Sequence, residues 1–123
     1  MTTIEDVARA RLAPKSRENM IGAVMNHIRC QVLSGRTSIE YTAQSLGTSV
    51  RSLQREMNAS GRNFRDMVSE ARVERAIELL RDNQNTVTAI SSTPGYSSSA
   101  HFARAFRKNV GLSPLEFRNR FPA

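Results

Sequence analysis

Tryptophan is absent from this 123-residue chain, and aromatic residues make up only 6% of it. A sandwich or barrel filled by large rings is therefore disfavoured, and small helical units with modest cores are the better fit. Cysteine is almost absent too. Cys30 stands alone, which excludes an intrachain disulfide and gives no sign of an oxidising compartment. Nowhere does an apolar run approach the ~20 residues of a membrane-spanning helix. The first twenty residues hold Glu5, Asp6, Arg9 and Arg11 and no apolar centre, unlike a signal peptide. The expected location is cytoplasmic. Chemistry-bearing constellations are missing as well. There is no glycine-rich phosphate loop and no pair of catalytic carboxylates. His27 and Cys30 lie one helical turn apart, but His101 is the only other histidine, too few donors for a metal site. The expectation is a non-enzyme without cofactor or metal.

Acidic charge is scarce beside basic charge: 11 residues against 18, for a net charge of +7. All the basic residues except Lys15 and Lys108 are arginine. The guanidinium is a planar fork of donors that matches phosphate oxygens and guanine edges, so this bias points to a nucleic-acid partner.

The apolar spacing is helical throughout, with no strand alternation. Residues 1–15 are polar and broken by Pro14, and read as a tail or linker with a frayed helical turn. Met20, Ile21, Val24, Met25, Ile28 and Val32 then recur at steps of three and four, one face of a helix that Ser34 and Gly35 stop. Ser38 caps a short helix ending before Gly47. Ser49 caps the next, with Val50, Leu53 and Met57 inward. Asn63 opens the longest segment, whose stripe shifts from Phe64, Met67, Val68 and Ala71 to Val73, Ala76, Ile77 and Leu80. A helix apolar on two faces must touch two cores. Along it, Arg72 and Arg75 stand among Glu70, Glu74 and Glu78 at ion-pairing distance in sequence. Thr86 caps another short helix. A further one runs from Ser98 to about Asn109, before Gly111. Ser113, Pro114 and Glu116 form a capping box with proline at the first helical position. The chain is thus all-α, with about seven helices. It divides into a first three-helix subdomain over 16–62, a connecting helix over 63–82 and a second subdomain over 83–123.

The two subdomains repeat each other. Gly47, Ser49, Leu53, Arg55 and Met57 in the first correspond to Gly95, Ser98, Phe102, Arg104 and Phe106 in the second, with one extra residue in the second turn. A short helix, a glycine turn and a second helix is the helix-turn-helix arrangement, whose second helix enters the major groove. One copy is a weak signal, because helical hairpins are common. Two copies on a doubly apolar helix in a basic chain are a strong one. At this point the sequence resembles the DNA-binding domain of the AraC/XylS family of transcription regulators. The resemblance rests on Ala43 to Gly47, on Ser49 with Arg51 to Arg55, on Gly61 to Phe64 and on Arg72 to Leu80. It continues through Gly95 to Phe106 and Gly111 to Arg118, so that it covers about residues 20–121. It implies two helix-turn-helix units reading adjacent major grooves of double-stranded DNA, with RNA polymerase as a further partner. The family's usual effector-sensing or dimerisation domain has no counterpart here, so the chain is expected to be either a stand-alone regulator or a fragment of a longer one.

With Leu53 and Met57 inward, the first reading helix leaves Ser49, Arg51, Ser52, Gln54 and Arg55 for DNA. Arginine pairs bidentately with guanine and glutamine with adenine, and the resemblance places Arg51, Gln54 and Arg55 where family members carry base-reading side chains. The second helix offers shorter side chains: Ser98, Ser99, Ala100 and Ala103, with Arg104, Arg107 and Lys108. The expectation is asymmetric. The first unit specifies bases, and the second mainly grips phosphates. Arg118 and Arg120 add to its positive charge. Pro94 lacks the amide a continuing helix would use, so the preceding helix should stop near Ser92, with a type II turn over 93–96 and a second unit less tightly packed than the first. The rival readings are a helical module that binds protein instead of DNA, and an enzyme fragment, for which no site exists.

Overall fold

The computed structural model describes residues 17–82, 84–93 and 95–121. The expected tail over 1–15 lies outside that set, and so does Pro94 with the turn built on it. Among the described residues every regular element is a helix. They are α1 (Arg17–Ser34), α2 (Ile39–Ser45), α3 (Val50–Ala59), α4 (Phe64–Leu80), α5 (Val87–Ser91), α6 (Ser99–Val110) and α7 (Pro114–Arg120). The expected all-α fold, two three-helix units on a long connecting helix, is the one observed.

Short helices hold their ends by local chemistry. Every helix from α2 onward starts at a Ser, Thr or Asn whose side-chain oxygen accepts from a backbone N–H three residues on. Each such bond satisfies one of the amides that a helix start leaves unpaired, worth ~1 kcal/mol against alanine. For a five-residue helix such as α5 this matters, since one turn forms few internal bonds. The termination of α6 shows the matching device. Gly111 takes φ +86°, and its N–H reaches the Arg107 carbonyl at 2.8 Å.

Two cores meet on α4. The first gathers Val24, Met25 and Ile28 from α1, Ala43 from α2, Leu53 and Met57 from α3, and Met67, Val68 and Ala71 from α4. The second takes Val73, Ala76 and Leu80 from further along α4, with Ile90, Phe102, Phe106 and Phe117. The drifting stripe of the sequence is thus one helix turning its N-terminal half to one unit and its C-terminal half to the other. Aromatic edges knit the second core: Phe102 lies 5.9 Å from Phe106, which meets Phe117 at 5.7 Å and 77°.

Two polar features were not apparent from periodicity. Gln31 is buried on α1, where its amide donates to Thr42 Oγ1 at 2.6 Å and its carbonyl accepts from Ser38 N–H at 2.7 Å. It ties α1 to the start of α2. Arg118 donates from Nε to the Leu80 carbonyl at 3.1 Å and from Nη2 to the Asp82 carbonyl at 3.3 Å. It closes the C-terminal end of α4, where free carbonyls attract a cation. Its place in a phosphate clamp is correspondingly weakened.

The ion pairs on α4 also differ from the intrahelical set expected. Arg75 does reach Glu78 at 2.8 Å, but Glu74 pairs with Arg29 of α1 at 2.9 Å and Glu70 with Arg62 at 2.7 Å. The Glu74 hydrogen bond holds the Arg29 guanidinium more firmly protonated than usual. Of the three carboxylates only Glu78 stands three residues from Arg75; Glu70 and Glu74 have neither Arg72 nor Arg75 at a facing position, and the fold brings them partners from outside the helix.

Candidate nucleic-acid interface

The two repeated hairpins place α3 and α6 as the second helices of their units. Leu53 and Met57 anchor α3 at 0% and 1% exposure, and Phe102 and Phe106 anchor α6 at 1% and 0%. Burial on one face dictates what the other face offers. On α3 the side chains of Arg51, Gln54 and Arg55 are exposed, and none of them forms a hydrogen bond or ion pair with another described residue. Ser52 is half-buried, and its hydroxyl lies 3.0 Å from that of the cap Ser49. Ser49 already accepts from the Ser52 N–H, so both serines serve the helix start and keep little hydrogen-bonding capacity for a ligand.

On α6 the same accounting gives a different surface. Ser98 caps the helix through the His101 N–H at 3.0 Å. Ser99 is exposed, but its hydroxyl lies 3.1 Å from that of buried Ser91, whose own proton goes to the Thr88 carbonyl at 2.6 Å. Ser99 is then the donor to Ser91, and this bond compensates a hydroxyl within the second core. Ala100 is exposed and Ala103 half-buried. What remains for a ligand is two methyl groups and three cations: Arg104, Arg107 and Lys108, all exposed. Arg107 sits 4.0 Å from Glu116, a distant surface pair that leaves it largely available.

The structure adds a feature that the motif did not contain. A groove of about 660 Å³ runs between α4 and α6, with Arg65, Arg72, Arg104, Lys108 and His101 along it and Asp66 as its one acid. Arg65 and Asp66 stand at the N-terminal end of α4, where the chain arrives from α3. Arg104 and Lys108 of the second unit therefore share a groove with the start of the connecting helix. Arg65 escaped notice in the sequence because nothing in a 3.6-residue period marks which exposed arginine will adjoin a helix forty residues away. Concave surfaces of one sign focus potential, and this one suits a polyanion. No group of three or more His, Cys, Asp or Glu that could hold a metal occurs among the described residues. No helix among them is long and apolar enough to cross a membrane.

Comparison with known proteins agrees with the helical architecture. A family described as a helix-turn-helix domain matches residues 42–120. The chain is 42% identical over 84 residues to the HTH-type transcriptional regulator VqsM of Pseudomonas aeruginosa, a match covering 68% of this chain and 26% of that protein. It is 28% identical over 89 residues to the HTH-type transcriptional activator CsvR of Escherichia coli, covering 72% and 33%. These matches span about a quarter to a third of the curated relatives' length. Among solved structures, the C-terminal domain of AraT, a response regulator from Geobacillus stearothermophilus, aligns with a TM-score of 0.68 and 25% identity over 92% of this chain and 90% of that one. An AraC-type DNA-binding domain-containing regulator from Chromobacterium violaceum has the same fold, with a TM-score of 0.73 at 23% identity over 84% of this chain and 92% of that one.

Proposed function

Because this chain belongs to the AraC-type helix-turn-helix family, we propose that it is the sequence-specific DNA-binding part of a transcription regulator and that its two hairpins divide the work unequally. In this reading α3 enters a major groove and specifies bases through Arg51, Gln54 and Arg55. The second unit enters the next groove with α6, but holds the duplex mainly by its backbone. The connecting helix, at ~1.5 Å per residue over its 17 residues, is ~26 Å long. That is short of the ~34 Å between successive grooves on one face of B-DNA, so modest bending of the duplex is part of the proposal.

One observation carries the asymmetry. The outer face of α3 holds three long polar side chains without a partner among the described residues, whereas that of α6 holds Ser99, Ala100 and Ala103, flanked by Arg104 and Lys108, which line the groove beside the connecting helix. Long forked side chains reach base edges, each bidentate pair giving ~1–3 kcal/mol of discrimination. Alanine offers at most a methyl contact to thymine. Cations beside the groove meet phosphates and position the protein without reading sequence. RNA polymerase, and an effector-sensing or dimerisation domain elsewhere in the regulator, are the further partners this reading implies.

The test is selection of bound duplexes from a random pool, followed by a base-substitution scan of the recovered site. The scan should show steep penalties in the half-site under α3 and shallow ones under α6. Equal penalties in the two halves would reject the division of labour. Affinity should also fall with salt by ~0.9 in log K per log unit of salt for each phosphate neutralised. Binding that ignores salt would reject DNA recognition altogether.

A further inference from the structure

One cation of the connecting helix is left over by the reading so far. Arg72 is half-buried near the middle of α4, and among the described residues its only side-chain hydrogen bond runs from Nη2 to Thr37 Oγ1 at 3.3 Å. The carboxylates that flank it on the helix are engaged by Arg62, Arg29 and Arg75. Thr37 belongs to the α1–α2 connection of the first unit. The same guanidinium abuts Gly95, in the α5–α6 connection of the second: a Cβ on Gly95 would stand 2.6 Å from Arg72 Cζ and 2.9 Å from Cδ. Gly95 also holds φ +107°, so the backbone there favours glycine, and the absence of a Cβ leaves room for the arginine as it lies. Tyr96, next along, shares with Arg72 the lining of two grooves along the connecting helix.

We propose that Arg72 is a positioning residue, a strut between Thr37 and Gly95 that fixes the angle between the two units and thereby the half-site separation the protein accepts. The proposal rests on the DNA reading above for its consequence, not for its geometry. The two cores are separate clusters that meet on α4. The helix fixes their separation along its axis, but the rotation of each unit around that axis depends on side contacts. Among the described residues no side-chain hydrogen bond joins the helices or turns of the first unit directly to those of the second. Arg72 hydrogen-bonds to the interhelical turn of the first and abuts that of the second. One base pair of B-DNA turns a half-site by ~34° and moves it ~3.4 Å, so a small change in that angle selects a different spacing.

Two measurements on the full chain test this. The first needs no DNA: with Cys30→Ser as background, spin labels at the exposed positions Gln44→Cys and Asn119→Cys report the distance between the units. The distribution should be narrow, and Arg72→Met should broaden it, with Thr37→Val, a milder change, broadening it less. Helical circular dichroism confirms that each variant is folded. An unchanged distribution in folded Arg72→Met overturns the proposal. The second uses the selected duplex with one base pair inserted or removed between half-sites. The unsubstituted protein should lose about tenfold in affinity, the order of one mismatched base pair, and Arg72→Met less than ~threefold. Affinity for a duplex carrying only the α3 half-site should stay the same. Equal spacing penalties in both proteins would sink the role in spacing. If the unsubstituted protein enriches no sequence, the DNA reading fails and the spacing claim with it, while the distance measurement still decides whether Arg72 is a strut.

Discussion

Replacing Tyr96 by phenylalanine should make the protein more stable, although it removes a polar group from an interior site. The hydroxyl of Tyr96 is buried and has no hydrogen-bond partner among the described residues. A buried unpaired hydroxyl costs ~1–3 kcal/mol in mutational series. The ring itself is well placed, edge-on to Phe102 at 5.0 Å and to His101 at 5.6 Å, and phenylalanine keeps both contacts. Against the gain stands the loss of the attraction between the phenol oxygen and the nearby Arg72 charge. The net expectation is about 1 kcal/mol of stabilisation, or roughly 4 °C in melting temperature for a chain of this size. Calorimetric melts at pH 7 measure it directly.

Alkaline titration supplies an independent check. Burial pushes the Tyr96 phenol from its ordinary 10.0 up to about 12, opposed in part by Arg72. Below pH 10 the folded and unfolded chains both keep this proton, so it adds no slope. Between pH 10 and about 12 the unfolded chain gives up a proton that the folded one retains, and stability falls as pH rises. Tyr96→Phe removes that portion of the loss. The phenolate absorbance of the unsubstituted protein minus that of the variant isolates the group from Tyr41. A difference curve centred near pH 10, or a lower melting temperature for the variant, would show that the hydroxyl is hydrated or partnered and that the reasoning is wrong.

Other substitutions probe the cores and the surface separately. Phe106→Ala empties the centre of the second core and should cost ~3–5 kcal/mol in urea unfolding, because Phe102 and Phe117 both lean on that ring. Gln31→Ala leaves the Ser38 N–H without its acceptor and removes the donor to the Thr42 hydroxyl, which keeps its own bond to the Ser38 carbonyl, and should cost ~2 kcal/mol; a loss below half of that would mean water replaces the amide. Lys108→Ala should weaken DNA binding evenly across sequences and lower the salt slope by ~1, whereas Arg51→Ala should relax the preference at one base pair by ~1–3 kcal/mol, both read from gel-shift titrations.

Much of this molecule is written locally. The caps at Ser38, Ser49, Asn63, Thr86, Ser98 and Ser113 are each a side chain acting three residues ahead, and such signals survive without knowledge of the fold. The inward faces of α3 and α6 follow from Leu53, Met57, Phe102 and Phe106, since a helix repeats every 3.6 residues wherever it is placed. Even the sharing of α4 between two cores was visible, as a stripe that drifts. From those inward faces the exposed set on α3 follows by subtraction. What the chain could not announce is every contact that depends on which helix lies alongside which. Arg72 stands two residues from both Glu70 and Glu74, positions that do not face each other on a helix, and its hydrogen bond goes to Thr37, thirty-five residues away in sequence. Arg118 looked like one more surface cation until the end of α4 gave it two carbonyls. Gln31 carries no sign of burial in the apolar spacing of its helix, and only the packing of α2 buries it. An arginine or glutamine has several donors and many acceptors within range of its sequence neighbours, so its choice is settled by packing, and packing is a property of the assembled helices rather than of any one of them.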